Sequence, residues 1–477
     1  MVERSRWLGN GRRATGLTRR GDSPNTPNAG KGNPMPTFYI DQHGCAKNQV
    51  DGEEISARLI DAGFSVVESP ENADVIIINT CGFIEDAKKE SISAIVDTKK
   101  RWPGKKVIAA GCLSQRYPEV LFSDMPEADG VFGNGDLSLI PGAVEKVVHG
   151  TRELLKTPQQ RNMPLVCYPR KAFFDYPGTA HIKITEGCSN HCSYCAIPLI
   201  RGELRSRDIA DIVSEAQGLL DRGVFEIVLI GQDLGNYGKD LEGRCMLPDL
   251  LSAFAEIKEN FRVRVLYIHP DHFPHEILPI IKGDSRFAPY FDLPFQHASA
   301  SVLRSMNRQG STEIYLGLIE RIRAELPFAM IRSTFLVGFP GETEADFSAL
   351  LDFQRAAQLD WLGAFAYSRE ENTPAYDMKN RVPKSVAQKR KALVEETQVA
   401  ITAERLKRFI GMSDHFIVEE AFDHDKLCIG RGWMQAPEVD GVTLIHAAQK
   451  PGAIVEAHII SVNGVDFNAV LEYTATV

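Results

Sequence analysis

The sequence predicts an α/β protein built in series, with an N-terminal parallel α/β domain, a central open (β/α) barrel and a small antiparallel β-barrel at the C-terminal end. Three observations carry this. Strand-like and helix-like runs alternate from Thr37 to about Gly150, as a parallel layer requires. Six further strand candidates alternate with helical stretches between His181 and Tyr367, too few for a closed eight-stranded barrel. Short strands separated by Asp440-Gly441, Pro451-Gly452 and Asn463-Gly464 follow, the pattern of a small barrel.

At 477 residues the chain is too long for a disulfide-stapled miniature fold, and its 43% hydrophobic and 25% charged content supplies several cores. No apolar run approaches the ~20 residues that cross a bilayer, so the expectation is a cytoplasmic protein with no membrane partner. The net charge of −9 is uneven. Residues 1–34 hold Arg4, Arg6, Arg12, Arg13, Arg19, Arg20 and Lys31 against Glu3 and Asp22, so the remainder is more acidic than the whole. An acidic body argues against broad contact with a nucleic-acid backbone and favours a basic or small-molecule partner.

Residues 1–34 are rich in Gly, Pro, Asn and Arg without periodicity, and are expected to be a disordered extension ahead of Met35. Residues 35–150 form the α/β domain, with strands at Thr37–Asp41, Val75–Asn79 and Val107–Ala110 and an amphipathic helix at Gly52–Ala62. Residues 151–172, with Pro158, Pro164 and Pro169, read as a linker. The barrel spans 173–405, with strands at His181–Thr185, Glu226–Ile230, Arg264–Ile268, Tyr290–Leu293, Met330–Leu336 and Trp361–Tyr367. A charged helix at about Lys384–Phe409 leads into the last part, 406–477, with strands at His415–Glu419, Val442–Ile445, Ile454–Ile460 and Ala469–Tyr473.

The nine cysteines are an odd set, and six stand where metal chemistry would put them. Cys188, Cys192 and Cys195 follow the first barrel strand in a Cys-x3-Cys-x2-Cys loop. Three thiolates so close together suit one corner of a cubane iron–sulfur cluster and leave one iron open. The alternative is a zinc knuckle, but structural zinc takes four protein ligands and His191 is an awkward fourth. Cys45, Cys81 and Cys112 lie far apart in sequence, yet each follows a strand, and parallel strands present such turns at one carboxyl edge. The competing reading is three unrelated buried cysteines. Gly44, Gly82 and Gly111 stand beside them and permit close backbone approach to a bulky ligand. Cys167, Cys245 and Cys428 have no such setting.

With Tyr194 before its last cysteine, the Cys188–Cys195 loop resembles the radical S-adenosylmethionine superfamily. Two triads followed by a β tail resemble the methylthiotransferases of that superfamily, over residues 37–477. Four runs resemble the branch that modifies an aspartate of small-subunit ribosomal protein S12: Gly44-Cys45-Ala46-Lys47-Asn48, Asn79-Thr80-Cys81-Gly82-Phe83-Ile84, Gln296-His297-Ala298-Ser299 and the stretch from Ser333 to Thr343. Ala46 and Gly231 depart from that branch's usual Pro and Ser. The alternative substrate is an adenosine of transfer RNA.

The resemblance implies a radical-SAM barrel, a TRAM-like tail, S-adenosylmethionine and two [4Fe-4S] clusters, one on Cys188, Cys192 and Cys195 and one on Cys45, Cys81 and Cys112. It implies that the first cluster cleaves S-adenosylmethionine, that the second carries the sulfur to be inserted, and that an electron donor is needed. Tyr194, Gly231, Gln232, Asp233 and Gly338 are candidates for contact with S-adenosylmethionine, and no catalytic residue is assigned beyond the cluster ligands. Gln296 and His297 either line the substrate pocket or cap the barrel. Arg201, Arg205 and Arg207 either engage carboxylates of cofactor or substrate or are surface charges. Thr343 reads as a helix N-cap. From Ile410 onward three basic residues face ten acidic ones, which favours a basic protein substrate over RNA unless these charges are merely a solvated surface.

Overall fold

The computed structural model describes residues 36–157, 165, 168–422 and 426–471. The expected extension 1–34, Met35, Pro158, Pro164, Cys167, Asp423, Asp425 and residues 472–477 lie outside the described residues. The chain divides into two compact units, one running to Phe174 together with Ala196–Glu203, the other comprising Asp175–Cys195 and Leu204 onward.

The first unit is a six-stranded sheet in the order β2-β1-β3-β4-β5-β6, formed by β1 (Thr37–Gln42), β2 (Ser65–Val66), β3 (Val75–Thr80), β4 (Lys106–Gly111), β5 (Gly130–Phe132) and β6 (Glu153–Leu155). Every pairing is parallel. Helices cover both faces, so β3 is buried at every position and reads as the unbroken run Val-Ile-Ile-Ile-Asn-Thr. Successive side chains alternate between two cores: Phe38, Ile40, Ile77 and Ile108 pack with Ile55 and Leu59 of α1 (Ala46–Asp61), while Tyr39, Ile76, Ile78 and Val107 pack with Ile95 of α2 (Glu85–Arg101). β6 lies within the stretch read as a linker; it is short and half-buried and carries no periodic signal.

α1 begins six residues earlier than its apolar pattern indicates, directly after Cys45. Its first turns bury Asn48, Asp51 and Glu53, which are satisfied by distant partners, and Gln49, which donates to Glu53 one turn on, so periodicity does not reveal them.

In the second unit six parallel strands form two three-stranded sheets. One has the order β11-β10-β7, from β7 (Thr179–Lys183), β10 (Glu226–Ile230) and β11 (Arg262–Val265). The other is β12-β13-β14, from β12 (Tyr290–Asp292), β13 (Met330–Val337) and β14 (Trp361–Ala366). A two-stranded ribbon, β8 (Thr185–Glu186) with β9 (Arg205–Ser206), follows β7. The helix Lys384–Leu406 starts immediately after Pro383 and leads into a closed barrel, β15-β16-β17-β19-β18. Its strands are β15 (Ser413–Phe422), β16 (Leu427–Arg431), β17 (Thr443–Ile445), β18 (Ile454–Asn463) and β19 (Asp466–Leu471). One pairing, β17 with β19, is parallel, so the barrel is not wholly antiparallel as the turn signals imply. Among the described residues no helix is long and apolar enough to cross a membrane.

Within this unit, buried ionic groups join the two barrels. Glu226 on β10 accepts from Arg264 at 2.7 Å and from Arg431, and Arg431 also donates to Glu419 at 2.6 Å and Thr179 at 2.8 Å. Burial pushes the Glu226 carboxyl up, but Arg264, Arg431 and Arg262 outweigh it and hold it at about 2. Tyr290 donates to Asp440 at 2.6 Å, and Trp361 donates through its indole N–H to the Met434 carbonyl at 3.0 Å.

Asp440 behaves oppositely to Glu226. Its side chain is buried and stands 3.5 Å from Arg332, which sits closer, at 2.9 Å, to Asp292; burial therefore prevails and raises the Asp440 carboxyl to about 6. A carboxyl raised on folding binds its proton more tightly in the native state. Its contribution is fully present below the unfolded value of about 4 and is lost as pH rises through about 6, a change on the order of 2–3 kcal/mol. Asp440→Asn should flatten that segment of the stability profile, read as urea midpoints between pH 4 and 7.

Candidate functional site

The first unit brings the three distant cysteines to one edge of its sheet. Cys45 follows β1 and sits at the N-cap of α1, Cys81 directly follows β3, and Cys112 follows β4 and opens the short helix α3 (Cys112–Arg116). Gly44 adopts φ +89°, and a Cβ there would lie 3.1 Å from the Cys81 Cβ and 3.4 Å from its sulfur, so glycine lets two of the turns close on each other. Asn48 ties these turns together. Its amide donates to the carbonyls of His43 (2.7 Å), Asn79 (3.2 Å) and Thr80 (3.2 Å), and its Oδ1 accepts from the Cys112 thiol at 3.6 Å.

The three sulfurs are not alike. Burial, with Cys112 and Cys45 nearby, pushes the Cys81 thiol up to about 12. Burial pushes Cys112 to about 11 against the opposing pull of Arg201. At Cys45 desolvation is outweighed by Lys47, Arg201 and backbone N–H groups, which bring the thiol below its ordinary value. Two N–H donors point at the Cys112 sulfur, Arg201 Nη2 at 3.3 Å and Asn134 Nδ2 at 3.5 Å. Such donors suit a sulfur that carries charge, as in a cluster thiolate. Among the described residues no three His, Cys, Asp or Glu side chains close around a single metal ion. A cubane presents separate irons to separate sulfurs and does not require that closure.

In the second unit the Cys188, Cys192 and Cys195 loop follows the β7–β8 strand end, with all three side chains half-buried. Neighbours hold it in place. Asn190 donates to Asp233 at 2.8 Å and accepts from Asn236 at 2.7 Å; Asn307 donates to the His191 carbonyl at 3.0 Å; the Ser193 N–H reaches the Met306 carbonyl at 3.0 Å. His191 takes a left-handed φ of 51°, a conformation held by these contacts. Tyr194 packs against the apolar cluster of Val302, Met306, Leu336, Phe339 and Ala375, and its hydroxyl accepts from Arg308 at 3.3 Å. Burial raises the Cys192 thiol against the pull of Arg308.

The remaining candidates have distinct placements. Asp233 is fully engaged: Oδ1 accepts from the Gly235 and His269 N–H groups, and Oδ2 from Asn190, Asn236 and His272. Its carboxyl lies below its usual range because these bonds, led by His272, outweigh burial. Gln232 donates to Glu186 at 3.4 Å. A Cβ on Gly231 would come within 2.1 Å of Thr185 Oγ1, and one on Gly338 within 2.3 Å of the Ala387 Cβ, so packing alone demands glycine at both.

His297 is fully buried, accepts from the Ser299 N–H at 3.0 Å, and is held neutral by burial, at about 4. It caps its strand end, while Gln296 beside it is half-buried with a left-handed φ of 67°. Arg207 serves Asp211, Glu215 and the Lys183 carbonyl; Arg201 serves Asp51 and Cys112. Thr343 is the expected N-cap and completes a capping box with Asp346. The sequence reading missed Asn48, Asp51 and Arg308. Asn48 alone carried a signal, being part of the Gly44–Asn48 run.

The acidic tail is also less acidic at its surface than its composition implies. Glu419 and the Asp440 side chain are buried in the ionic groups described above, and Asp414 stands 3.8 Å from Arg262. These carboxylates serve internal arginines, which composition does not reveal.

Three family models match the chain: an uncharacterised family, UPF0004, over 37–133, the radical SAM superfamily over 182–353 and the TRAM domain over 410–471. The radical S-adenosylmethionine methyltransferase TsrM from Kitasatospora setae, solved with tryptophan and a SAM analogue, shares the fold at a TM-score of 0.54 and 14% identity over 72% of this chain and 75% of its own. Together with the cysteine loop in the barrel, the radical SAM match defines the class as a radical S-adenosylmethionine enzyme.

The relatives narrow the class. The ribosomal protein uS12 methylthiotransferase RimO of Treponema denticola is 44% identical over 465 residues, 90% of this chain and 100% of that protein. Its namesakes in Syntrophomonas wolfei (38% identity; 89% of this chain, 97% of that protein) and Thermotoga maritima (39%; 87% and 95%) align similarly. The chain belongs to the ribosomal protein uS12 methylthiotransferase RimO family.

Proposed function

We propose that this enzyme replaces a hydrogen on the β-carbon of an aspartate in small-subunit ribosomal protein S12 with a methylthio group, in the cytoplasm and with an external electron donor. Cys188, Cys192 and Cys195 hold one [4Fe-4S] cluster, and Cys45, Cys81 and Cys112 hold a second. Tyr194, Gly231, Gln232, Asp233 and Gly338 border the S-adenosylmethionine site. The observation that carries this reading is the pair of thiol triads, each set by its own unit at the ends of parallel strands.

Bound there, the clusters and S-adenosylmethionine would supply a sulfur source and the one-electron sulfonium cleavage that an unactivated C–H bond demands, because no side-chain base removes its proton. The protein's own residues orient and insulate. Asp233 fixes the radical-site loop through Asn190, and Tyr194 and Arg308, hydrogen-bonded to each other, both act on the Cys192 sulfur. Asn48 and Arg201 fix the turn that bears Cys112.

Mass spectrometry of S12 and of transfer RNA from cells with and without the gene tests the reading. A methylthio increment on one S12 aspartate that vanishes with the gene is expected; loss of an adenosine methylthiolation instead would transfer the assignment to RNA.

The surface of the C-terminal barrel supports a basic protein substrate through Glu438 and Glu456, which are exposed, and Glu420, which is half-buried. Neutralising these three should lower the association rate for S12 severalfold at low salt. The difference should shrink as the Debye length falls from ~10 Å at 0.1 M to ~3 Å at 1 M. Stopped-flow association at several salt concentrations measures it.

A further inference from the structure

Arg201 ends the helix Ile197–Arg201, whose Ile200 and N-cap residue Ala196 cluster with Cys112. Its Nη2 is 2.8 Å from Asp51 Oδ2 and 3.3 Å from the Cys112 sulfur. The two charged side chains are only 3% and 2% exposed. A guanidinium so deeply buried requires a counter-charge, and Asp51 supplies it. The contact with sulfur is additional to that pairing. A thiol is a weak acceptor, whereas a sulfur bearing negative charge accepts strongly, so this N–H is best used when Cys112 is a thiolate bound to iron. A second donor, Asn134 Nδ2 at 3.5 Å, converges on the same sulfur.

We infer that Arg201 is a positioning residue for the first triad, held by Asp51 so that its guanidinium donates to the Cys112 sulfur and raises the reduction potential of the cluster on Cys45, Cys81 and Cys112. The inference rests on the proposed cluster at that triad. Hydrogen bonds to cluster sulfurs and nearby positive charge both stabilise the reduced, more negative state. Sequence reading offered Arg201 a carboxylate of substrate or cofactor; the carboxylate it meets belongs to the protein, and the sulfur beside it is the functional contact. Asp51, on the second turn of α1, fixes the guanidinium from the opposite side.

The test uses full-length protein with Cys188, Cys192 and Cys195 replaced by alanine, so that only the first triad carries a cluster. Anaerobic reconstitution and iron counting come first, followed by stepwise reduction with dithionite monitored by electron paramagnetic resonance. The Arg201→Gln variant should titrate at a more negative potential, its reduced-to-oxidised ratio falling about tenfold at fixed potential, which is ~59 mV for one electron. The Arg201→Lys variant should fall between it and the parent, since it keeps the charge and loses the fork. Circular dichroism establishes that each variant is folded.

Equal potentials in all three proteins would overturn the inference. So would loss of the cluster from both the Lys and Gln variants, which would make Arg201 a packing group. Absence of any cluster in the parent with Arg201 intact would instead refute the proposed ligand set, a separate failure.

Discussion

Replacing Cys45, Cys81 and Cys112 together with alanine is expected to abolish methylthiolation while leaving reductive cleavage of S-adenosylmethionine in place. Replacing Cys188, Cys192 and Cys195 should abolish both. The two triads belong to different compact units, and each is fixed by its own residues: Asn48 and Arg201 for one, Asn190, Asn307 and the Met306 carbonyl for the other. Loss of one set of thiols therefore leaves the scaffold of the other standing. If both sites hold cubanes, reconstituted protein should bind about eight irons and each triple variant about four. Iron analysis, 5′-deoxyadenosine release and peptide mass spectrometry report the three quantities. A first-triad variant equally dead in cleavage would refute the division of labour.

The second large effect concerns stability. Arg431→Ala should destabilise the second unit by about 3–5 kcal/mol, because it leaves Glu226 and Glu419 buried without their shared guanidinium. The consequence should be pH-dependent. In the native protein Glu226 lies at about 2, below its unfolded value, so its stabilising contribution is present above about 4.5 and is lost as pH falls toward 2. In the Arg431→Ala variant one of the arginines that hold it down is gone, and the acid limb of the stability profile should flatten. Urea denaturation followed by tryptophan fluorescence at several pH values gives both quantities. Destabilisation below about 1 kcal/mol would mean that the ionic group contributes little.

Much of the architecture was legible because β-branched runs mark buried parallel strands. Val75–Thr80 and Met330–Val337 lie within one residue of their expected limits for that reason. The start of α1 was not legible. Its buried face begins with Asn48, Gln49, Asp51 and Glu53, which look like a solvent face until their partners are brought up by the fold. β16 escaped because it is short and contains Gly430 and Arg431, one a weak strand former and the other a charge that folding buries.

The turns bearing Cys45, Cys81 and Cys112 could be placed at one sheet edge from strand order alone. The groups that surround their sulfurs could not, since Arg201 meets an aspartate 150 positions away and Cys112 meets an asparagine 64 positions away. Surface charge on the tail was misjudged for the same reason, because composition does not distinguish an acid that faces water from one that neutralises a buried arginine.

The compact unit that holds the first triad is not one continuous stretch of chain. It takes back the segment Ala196–Glu203 after Cys188, Cys192 and Cys195 have passed, and that segment carries the guanidinium beside Cys112. The N-terminal portion is therefore not a transplantable module. A fragment cut at Phe174 would lack the Ala196 and Ile200 packing against Cys112 and the Arg201 partner of Asp51, and fusing that fragment to a foreign barrel would not restore them. Recombination between relatives should succeed only where the exchanged piece carries residues 196–203 along with the sheet. The two halves of this enzyme are thereby bound to a common inheritance by eight residues of chain.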